Sequence, residues 1–187
     1  LPSTAWKRNT YKRPEQKKWF AGETISLGIG QGYNNFTILQ LTHALATLVD
    51  NGNSRTPHVG KQLIDPVTSA RTPIELPPVV SLGYKQSNVD AVKRGMVSVV
   101  QAGTGTRTFA GAKYLSGGKT GTAQAITIGQ KEKYNASRLA ERQRDHALYV
   151  AFAPADNPQI AVGVIVENAG FGAGSAAPIA RRIKIGR

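Results

Sequence analysis

The sequence predicts an α+β domain in which helices pack against an antiparallel sheet. Segments 38–50 and 87–101 carry apolar residues at the spacing of amphipathic helices. Two apolar runs of strand length, 148–153 and 160–166, flank a turn that contains two prolines, which is typical of a β-hairpin. We therefore expect this hairpin and a glycine-rich strand near residue 118 to form the sheet.

The composition fits one globular domain. The chain has 187 residues, of which 40% are hydrophobic, and a domain of this size buries about 70% of the surface that its unfolded chain exposes. It has no cysteine, and His43, His58 and His146 lack the spacing of metal ligands, so we expect neither a metal nor a cofactor. No apolar run approaches the roughly 20 residues of a membrane-spanning helix, and there is no signal-peptide pattern, so we expect a soluble piece.

The net charge of +13 makes nucleic acid a partner to consider. The densest basic run, 7–18, is interleaved with aromatic residues that could stack on bases. It has no repeat, no recognition-helix pattern and no RNA-binding signature, so we expect no nucleic-acid binding. A solvated basic face is the preferred interpretation, with attraction to anionic cell-wall polymers or a membrane surface as a secondary one.

The first 35 residues are predicted to form a basic, glycine-rich connector. Pro2 and Pro14 argue against one continuous helix, and 1–23 is predicted to be a surface loop. The three glycines within 28–32 indicate close backbone packing or positive φ angles. Tyr33 stands where a dinucleotide-binding pattern would need its third glycine, so these glycines are interpreted as structural.

Two helices are predicted within 36–115. Thr37 begins a capping pattern and Gly52 ends the first helix, which is apolar on almost every side and is therefore expected to be buried. Ser87 is predicted to cap the second helix, which ends by Gly103. The residues predicted to face the core are Leu41, Ala44, Leu45 and Leu48 in the first helix, and Val89, Val92, Met96, Val99 and Val100 in the second. Outside the helices, 55–64 is predicted to be extended and 103–106 to be a turn.

The segment 116–124, Ser-Gly-Gly-Lys-Thr-Gly-Thr-Ala-Gln, is predicted to hold the functional site. Its glycines allow a ligand to approach the backbone, and Lys119 adds a positive charge. Thr120 and Thr122 lie two apart, so on a strand both hydroxyls face the same side, toward one anion beside the lysine. Backbone N–H groups on an open strand edge could hold a developing oxyanion. This set of groups is half of an acyl-transfer site.

This segment has two alternative interpretations. A phosphate-binding loop that ends in Gly-Lys-Thr needs a glycine at the position of Lys113, so that interpretation is disfavoured. A glycine-rich turn before an ordinary strand is the simpler alternative, and the motif alone does not exclude it.

The C-terminal part, 116–187, is predicted to contain the sheet and a last helix. The strand 160–166 is apolar on both faces, so it is expected to be central in the sheet, although the chain offers only one neighbour for it. The charged stretch 130–145 is predicted to include a short helix near 137–144. Ser175 is predicted to cap the last helix, with Pro178 in its first turn. The residues predicted to form its buried face are Ala176, Ile179, Ala180 and Ile183.

Four ordered blocks together resemble a known family. Lys119-Thr120-Gly121-Thr122-Ala123-Gln124 is similar to the third motif of penicillin-binding transpeptidases. The block Gly28-Ile29-Gly30-Gln31-Gly32-Tyr33, the helix 38–50 and the block 140–146 resemble the elongation-type class B enzymes of the penicillin-binding protein 2 group. The resemblance runs from about Leu1 to Arg182. It implies a β-lactamase-like transpeptidase domain, of which this chain is the C-terminal half.

Two motifs of that family are missing from these residues. Only Ser116 stands three residues before a lysine, and its partner Lys119 already belongs to the third motif, so this Ser-x-x-Lys match is interpreted as accidental. No Ser-x-Asn occurs, because Ser87-Asn88 lacks the middle residue. We therefore expect the nucleophilic serine, a membrane anchor and the remainder of the transpeptidase domain to lie outside this chain, which alone is expected to be inactive.

The resemblance implies a penicillin-sensitive peptidoglycan D,D-transpeptidase that cross-links stem peptides during cell elongation, at the periplasmic face of the inner membrane. Lys119 would attract the substrate and support proton transfer, and Thr120 and Thr122 would bind the donor carboxylate. Gly121 would permit close approach, and the Thr122 N–H would be one oxyanion donor. The implied partners are D-Ala-D-Ala stem peptides, β-lactam antibiotics and the glycosyltransferase of the elongation complex. A non-catalytic binding fragment and a related acyl-serine β-lactam hydrolase or sensor remain alternatives.

Overall fold

The computed structural model describes residues 2–125, 135 and 139–183. The chain divides into two compact units, 1–37 and 38–187. Each is described separately. Among the described residues, no helix is both long enough and apolar enough to cross a membrane.

The N-terminal unit contains three short helices, so the predicted surface loop over 1–23 is wrong. They are α1 (Thr4–Thr10), α2 (Pro14–Lys17) and α3 (Ala21–Gly28). The Ser3 hydroxyl accepts a hydrogen bond of 3.0 Å from the Trp6 N–H and caps α1. Pro14 stands at the first position of α2, where its missing N–H costs nothing. The prolines therefore separate short helices instead of preventing them.

A buried ion pair stabilises this unit. Lys7 is only 3% exposed, pairs with the Glu23 carboxylate and donates a hydrogen bond of 2.7 Å to the Lys18 carbonyl. Glu23 also accepts hydrogen bonds of 2.8 Å from the Tyr33 hydroxyl and the Phe20 N–H. The hydrogen bond from Lys7 and the one from the Phe20 N–H lower the pKa of Glu23 to about 2.

Aromatic rings surround the same ammonium group. The Lys7 Nζ atom lies 5.3 Å from the centre of the Phe20 ring and 5.4 Å from that of the Tyr33 ring. After α3, Gly30 and Gly32 take positive φ angles of 80° and 67°, which confirms the structural interpretation of these two glycines.

The second unit begins with helix α4 (Ile38–Val49), which ends where Asn51 and Gly52 take positive φ angles. Two small antiparallel sheets of two strands each follow: β1 (Asn53–Ser54) pairs with β4 (Val80–Ser81), and β2 (Gln62–Ile64) pairs with β3 (Arg71–Pro73). The remaining elements are α5 (Gln86–Gln101), α6 (Thr106–Phe109), β5 (Gly117–Ala123), a 3-10 turn (Glu141–Gln143), β6 (His146–Ala153), β7 (Ile160–Val166) and α7 (Gly172–Arg182).

The main sheet is antiparallel, with strand order β5-β6-β7. Gly117 lies opposite Phe152 and Ala123 opposite His146, while Ala147 lies opposite Val166. This confirms the predicted hairpin and the antiparallel sheet. Among the described residues β7 has a single neighbour, so the second neighbour expected for it remains a prediction.

The central strand β6 separates two packing layers because its side chains alternate between the faces of the sheet. Ala147, Tyr149 and Ala151 pack with α6 and α7 in one cluster. On the other face, Val150 and Phe152 pack with α4 and α5. The predicted α+β architecture, helices on an antiparallel sheet, is therefore confirmed.

Several predicted helix details are wrong. The cap of α5 is Lys85 and that of α7 is Phe171, so Ser87 and Ser175 lie inside the first turns of their helices. The Ser175 hydroxyl instead donates to the Ala169 carbonyl at 2.9 Å. Because α7 begins at Gly172, Pro178 lies in its second turn. The residues that were predicted to be buried but are exposed are Ala44, Val92, Ile179 and Ile183.

Other predictions are met only in part or lie outside the described residues. Within 55–64, only residues 62–64 form a strand. The predicted short helix at 137–144 is represented by the 3-10 turn 141–143, and residues 136–138 are not among those described. The part of the glycine-rich strand predicted beyond residue 125 also lies outside the described residues.

Candidate active site

Strand β5 carries the predicted site on an edge of the main sheet. Its inner edge pairs with β6, and its outer edge has no strand partner among the described residues. The two glycines before Lys119 are required by packing. A Cβ atom on Gly117 would lie 2.4 Å from the Phe152 ring, and one on Gly118 would lie 2.1 Å from the Tyr149 hydroxyl oxygen.

The register places the two threonines on one face of the sheet. Thr120 lies opposite Tyr149 and Thr122 opposite Ala147, and residues that are directly opposite share a face. Lys119 lies opposite Val150 and therefore belongs to the other face. The predicted common face of the hydroxyls is confirmed, whereas the expectation that they and Lys119 meet at one bound anion stays a prediction. A lysine side chain is long enough to reach around an edge strand to a ligand.

The Lys119 side chain is exposed, and its ammonium group donates a hydrogen bond of 2.7 Å to the Thr120 carbonyl. Among the described residues no carboxylate lies within ion-pair distance of it. Within the described part of the chain, the positive charge at this edge is therefore not neutralised by an acid, which favours binding of an anion.

Thr104 contacts the predicted site, and the sequence interpretation missed this contact. Its hydroxyl oxygen lies 3.1 Å from the hydroxyl oxygen of Thr120, within hydrogen-bond distance. Residues 103–106 were interpreted only as a turn, because nothing in the local pattern indicates contact with a strand 16 residues later. The one signal in the sequence is that the Gly-Thr-Gly-Thr of 103–106 is similar in composition to the Thr-Gly-Thr of 120–122.

Ser116 has no access to a substrate in this structure. It is 2% exposed, its hydroxyl has no hydrogen-bond partner, and it borders a cavity of only about 20 Å³. Its position agrees with the interpretation that its spacing from Lys119 is accidental.

Tyr149 packs against Gly118 of β5 on one face of the sheet. It is completely buried, stacks on Phe109 with ring centres 5.8 Å apart, and its hydroxyl has no hydrogen-bond partner. Burial raises the pKa of Tyr149 to about 12. This hydroxyl is therefore neutral at physiological pH and acts as a packing group.

Helix α7 begins directly against the backbone of β5. A Cβ atom on Gly172 would lie 2.6 Å from the Gly121 carbonyl oxygen and 2.1 Å from that of Leu148. The position of the site strand therefore depends on the position of this helix.

An open polar cavity of about 440 Å³ lies elsewhere, between α4 and the turn that joins β6 to β7. Its lining includes His43, Lys93 and Asp156 but none of the residues of the predicted site. The predicted site and this cavity therefore lie in different parts of the second unit.

The chain is similar to known proteins of one family. The family model described as penicillin binding protein transpeptidase domain matches residues 8–184. Peptidoglycan D,D-transpeptidase MrdA of Haemophilus influenzae is 44% identical over 185 residues, which are 98% of this chain and 28% of that protein. The protein of the same name from Escherichia coli K12 is 39% identical, over 92% of this chain and 27% of that protein.

Solved structures of the same family are also similar. Penicillin-binding protein 2 of Pseudomonas aeruginosa, solved in complex with WCK 5153, matches with a TM-score of 0.72 and 39% identity, over 96% of this chain and 34% of that one. A chain of a peptidoglycan synthase complex that coordinates polymerization and crosslinking matches with a TM-score of 0.71 and 30% identity, over 97% of this chain and 27% of that one.

This chain spans less than a third of the length of the curated relatives named above. The family match nevertheless covers almost all of its own residues. By fold and by sequence, the chain belongs to the penicillin-binding protein transpeptidase family.

Proposed function

We propose that this chain supplies the carboxylate-binding and oxyanion-binding half of a serine D,D-transpeptidase that cross-links peptidoglycan stem peptides during cell elongation. The observation that carries the proposal is the edge strand β5, which has the hydroxyls of Thr120 and Thr122 on one face and the exposed Lys119 on the opposite face. A cation and a strand edge that have no partner among the described residues, together with two hydroxyl donors on one face, are suited to hold a peptide that ends in a carboxylate.

The reaction has two acyl transfers. A serine hydroxyl attacks the carbonyl of the penultimate D-alanine, the terminal D-alanine leaves with a proton on its amine, and an acyl-enzyme ester remains. The amine of a second stem peptide then attacks this ester and regenerates the serine. In this scheme Thr120 and Thr122 donate to the carboxylate of the leaving D-alanine, and the Thr122 N–H stabilises the oxyanion of each tetrahedral intermediate.

Lys119 and Gly121 have supporting roles. The exposed ammonium group of Lys119 attracts the negatively charged donor and favours proton transfer near the serine. Gly121 leaves the strand free of a side chain between the two threonines, so the donor backbone can lie close to it. No metal or cofactor takes part in this scheme.

We place the nucleophilic serine outside these 187 residues. The support is that Ser116, which alone has a lysine three residues later, is buried under the sheet. The chain alone is therefore proposed to be inactive. The rest of the transpeptidase domain would complete the site and pair with the sheet.

The wider context follows from the relatives. MrdA proteins are named as peptidoglycan transpeptidases, and one similar structure belongs to a synthase complex of polymerization and crosslinking. We therefore propose an elongation glycosyltransferase as partner, β-lactam antibiotics as acylating inhibitors, and a position at the periplasmic face of the inner membrane.

Labelling with a fluorescent penicillin tests the proposal. The full-length protein should form a covalent adduct that survives a denaturing gel, and this adduct should be lost when the serine outside the chain is replaced. The 187-residue chain alone should remain unlabelled. Labelling of the isolated chain that disappears in Ser116→Ala would refute the placement of the nucleophile, and an unlabelled full-length protein would refute the function.

A further inference from the structure

Arg181, near the end of α7, contacts the end of α6. Its Nη1 atom donates a hydrogen bond of 2.7 Å to the Thr108 carbonyl, and its Nη2 atom donates one of 2.9 Å to the Ala110 carbonyl. A planar guanidinium group suits this task because it directs two donors at once. These carbonyls lie where α6 ends and would otherwise lack a partner within the helix.

The contact is reciprocal. The Thr108 hydroxyl donates to the Ala173 carbonyl at 3.1 Å, and the Tyr114 hydroxyl donates to the Arg181 carbonyl at 3.0 Å. Four hydrogen bonds therefore connect α7 with the segment 108–114, across more than 60 residues of sequence. A junction of this kind fixes position more strictly than apolar contact alone.

The other end of α6 leads to the site. The Phe109 N–H bonds to the Gly105 carbonyl at 3.0 Å, and the Gly105 N–H bonds to the Val99 carbonyl at 2.9 Å. Thr104, directly before this turn, reaches Thr120. Because α6 is only four residues long, we expect a shift at the end that binds Arg181 to be transmitted to the end that adjoins Thr104.

The contact between the hydroxyls of Thr104 and Thr120 affects how Thr120 can bind a carboxylate. A hydroxyl group has a single hydrogen to donate. When the Thr120 hydroxyl donates that hydrogen to a carboxylate, the contact with Thr104 persists only with the Thr104 hydroxyl as donor. Such a chain polarises the Thr120 hydroxyl toward the carboxylate and holds its rotamer.

We infer that Arg181 is a positioning residue for carboxylate recognition. It anchors α6 to α7 and thereby keeps the Thr104 hydroxyl on Thr120. This inference rests on the proposed function. It assigns to the C-terminal helix a part in choosing substrates that carry a carboxylate, although Arg181 itself does not touch the substrate.

The test measures second-order acylation rates of the full-length protein with a penicillin and with a donor analogue that lacks the carboxylate. Arg181→Gln should lower the rate for the penicillin by about two- to thirtyfold and leave the rate for the analogue nearly unchanged. Arg182→Gln is the matched control. It removes the same charge from an exposed neighbour on the same helix, and both rates should stay at the wild-type level.

A double-mutant cycle separates positioning from general packing. In a Thr104→Val background, Arg181→Gln should cause no further loss of discrimination between the two substrates. An equal loss on both substrates, or an undiminished effect of Arg181→Gln without the Thr104 hydroxyl, overturns the inference. If Arg181→Gln does not fold, Thr108→Val replaces it, since this change removes one hydrogen bond of the same junction and should show the same pattern at smaller size. A wild-type protein that reacts with neither substrate would instead refute the proposed function.

Discussion

Gly172 lies so close to Gly121 that a single added carbon atom would come within 2.6 Å of the Gly121 carbonyl oxygen. Since backbone atoms cannot move aside as a flexible side chain can, Gly172→Ala should displace α7 or β5. We expect it to lower the free energy of unfolding by about 1–3 kcal/mol, the usual cost of overpacking. Urea titration of the chain measures this change.

Gly174 provides the matched control for that substitution. It lies in the same helix, and nothing lies within 4 Å of the place where its Cβ would be. Gly174→Ala should therefore raise the free energy of unfolding by about 0.5–1 kcal/mol, as alanine does in a helix. Equal stability of the Gly172→Ala variant and the wild type would mean that α7 does not rest on the strand backbone.

A second prediction concerns the buried hydroxyl of Tyr149. Because this hydroxyl has no hydrogen-bond partner among the described residues, Tyr149→Phe removes a desolvated polar group without breaking a bond. The free energy of unfolding should stay unchanged or rise by up to about 1 kcal/mol. The control is Tyr114→Phe, which loses the bond to the Arg181 carbonyl and should cost about 0.5–1.5 kcal/mol. A clear loss in Tyr149→Phe would reveal a partner such as a buried water.

The third prediction is the pH dependence of the N-terminal unit. The pKa of Glu23 is about 2 in the folded unit and about 4.3 in an unfolded chain. The unfolded state therefore takes up a proton first as the pH falls, so the stabilisation by the pair with Lys7 is complete above about pH 4.3 and disappears toward pH 2. Glu23→Gln should thus be less stable than wild type at pH 6, with the difference vanishing near pH 2.

Fluorescence isolates this unit, because the two tryptophans of the chain, Trp6 and Trp19, both belong to it. Urea midpoints followed by tryptophan emission at several pH values give the comparison. Glu15→Gln, which removes an exposed carboxylate of α2, should leave the midpoints almost unchanged. A difference between Glu23→Gln and wild type that is independent of pH would rule out the ion pair as its cause.

The fourth prediction addresses the threonines in the full-length protein. Removing either hydroxyl deletes a hydrogen bond to a charged group, a loss of about 1.5–3 kcal/mol, or roughly ten- to a hundredfold in acylation efficiency. Thr122→Ala keeps its N–H, so its reactivity toward a donor analogue without a carboxylate should survive. Thr120→Val removes the other hydroxyl and is tested with the same two kinds of substrate. Equal losses on both kinds of substrate would show that the threonines shape the strand and do not read the carboxylate.

The sequence predicted the sheet well because strand alternation and a hairpin turn are local properties. The runs 148–153 and 160–166 pair as expected, and the faces of Thr120 and Thr122 follow from their spacing alone. The contact between Thr104 and Thr120 could not be predicted, because it depends on how a turn packs on a distant strand.

Helix ends and burial were predicted less well. Serine is a common helix cap, which is why Ser87 and Ser175 were expected to be caps. Each helix nevertheless begins before its serine. The direction of the chain and its packing decide where the first turn starts. Ile179 belongs to an apolar stripe and is still 46% exposed. A stripe identifies a face, whereas its burial depends on what lies opposite it. The N-terminal helices were missed because an ion pair between residues 16 apart in sequence, Lys7 and Glu23, holds them together. A local sequence pattern does not reveal such a contact.

The two glycines before Lys119 restrict how this site can evolve. Gly117 is closed by the Phe152 ring on one face of the sheet and Gly118 by Tyr149 on the other. A side chain at either position requires a smaller residue at 152 or 149 as well, so no single amino-acid change can introduce one without a clash. We therefore expect single substitutions that alter the site to occur in the turn 103–106 or in α7. Both contact β5, so changes there can shift the strand while its own residues stay the same.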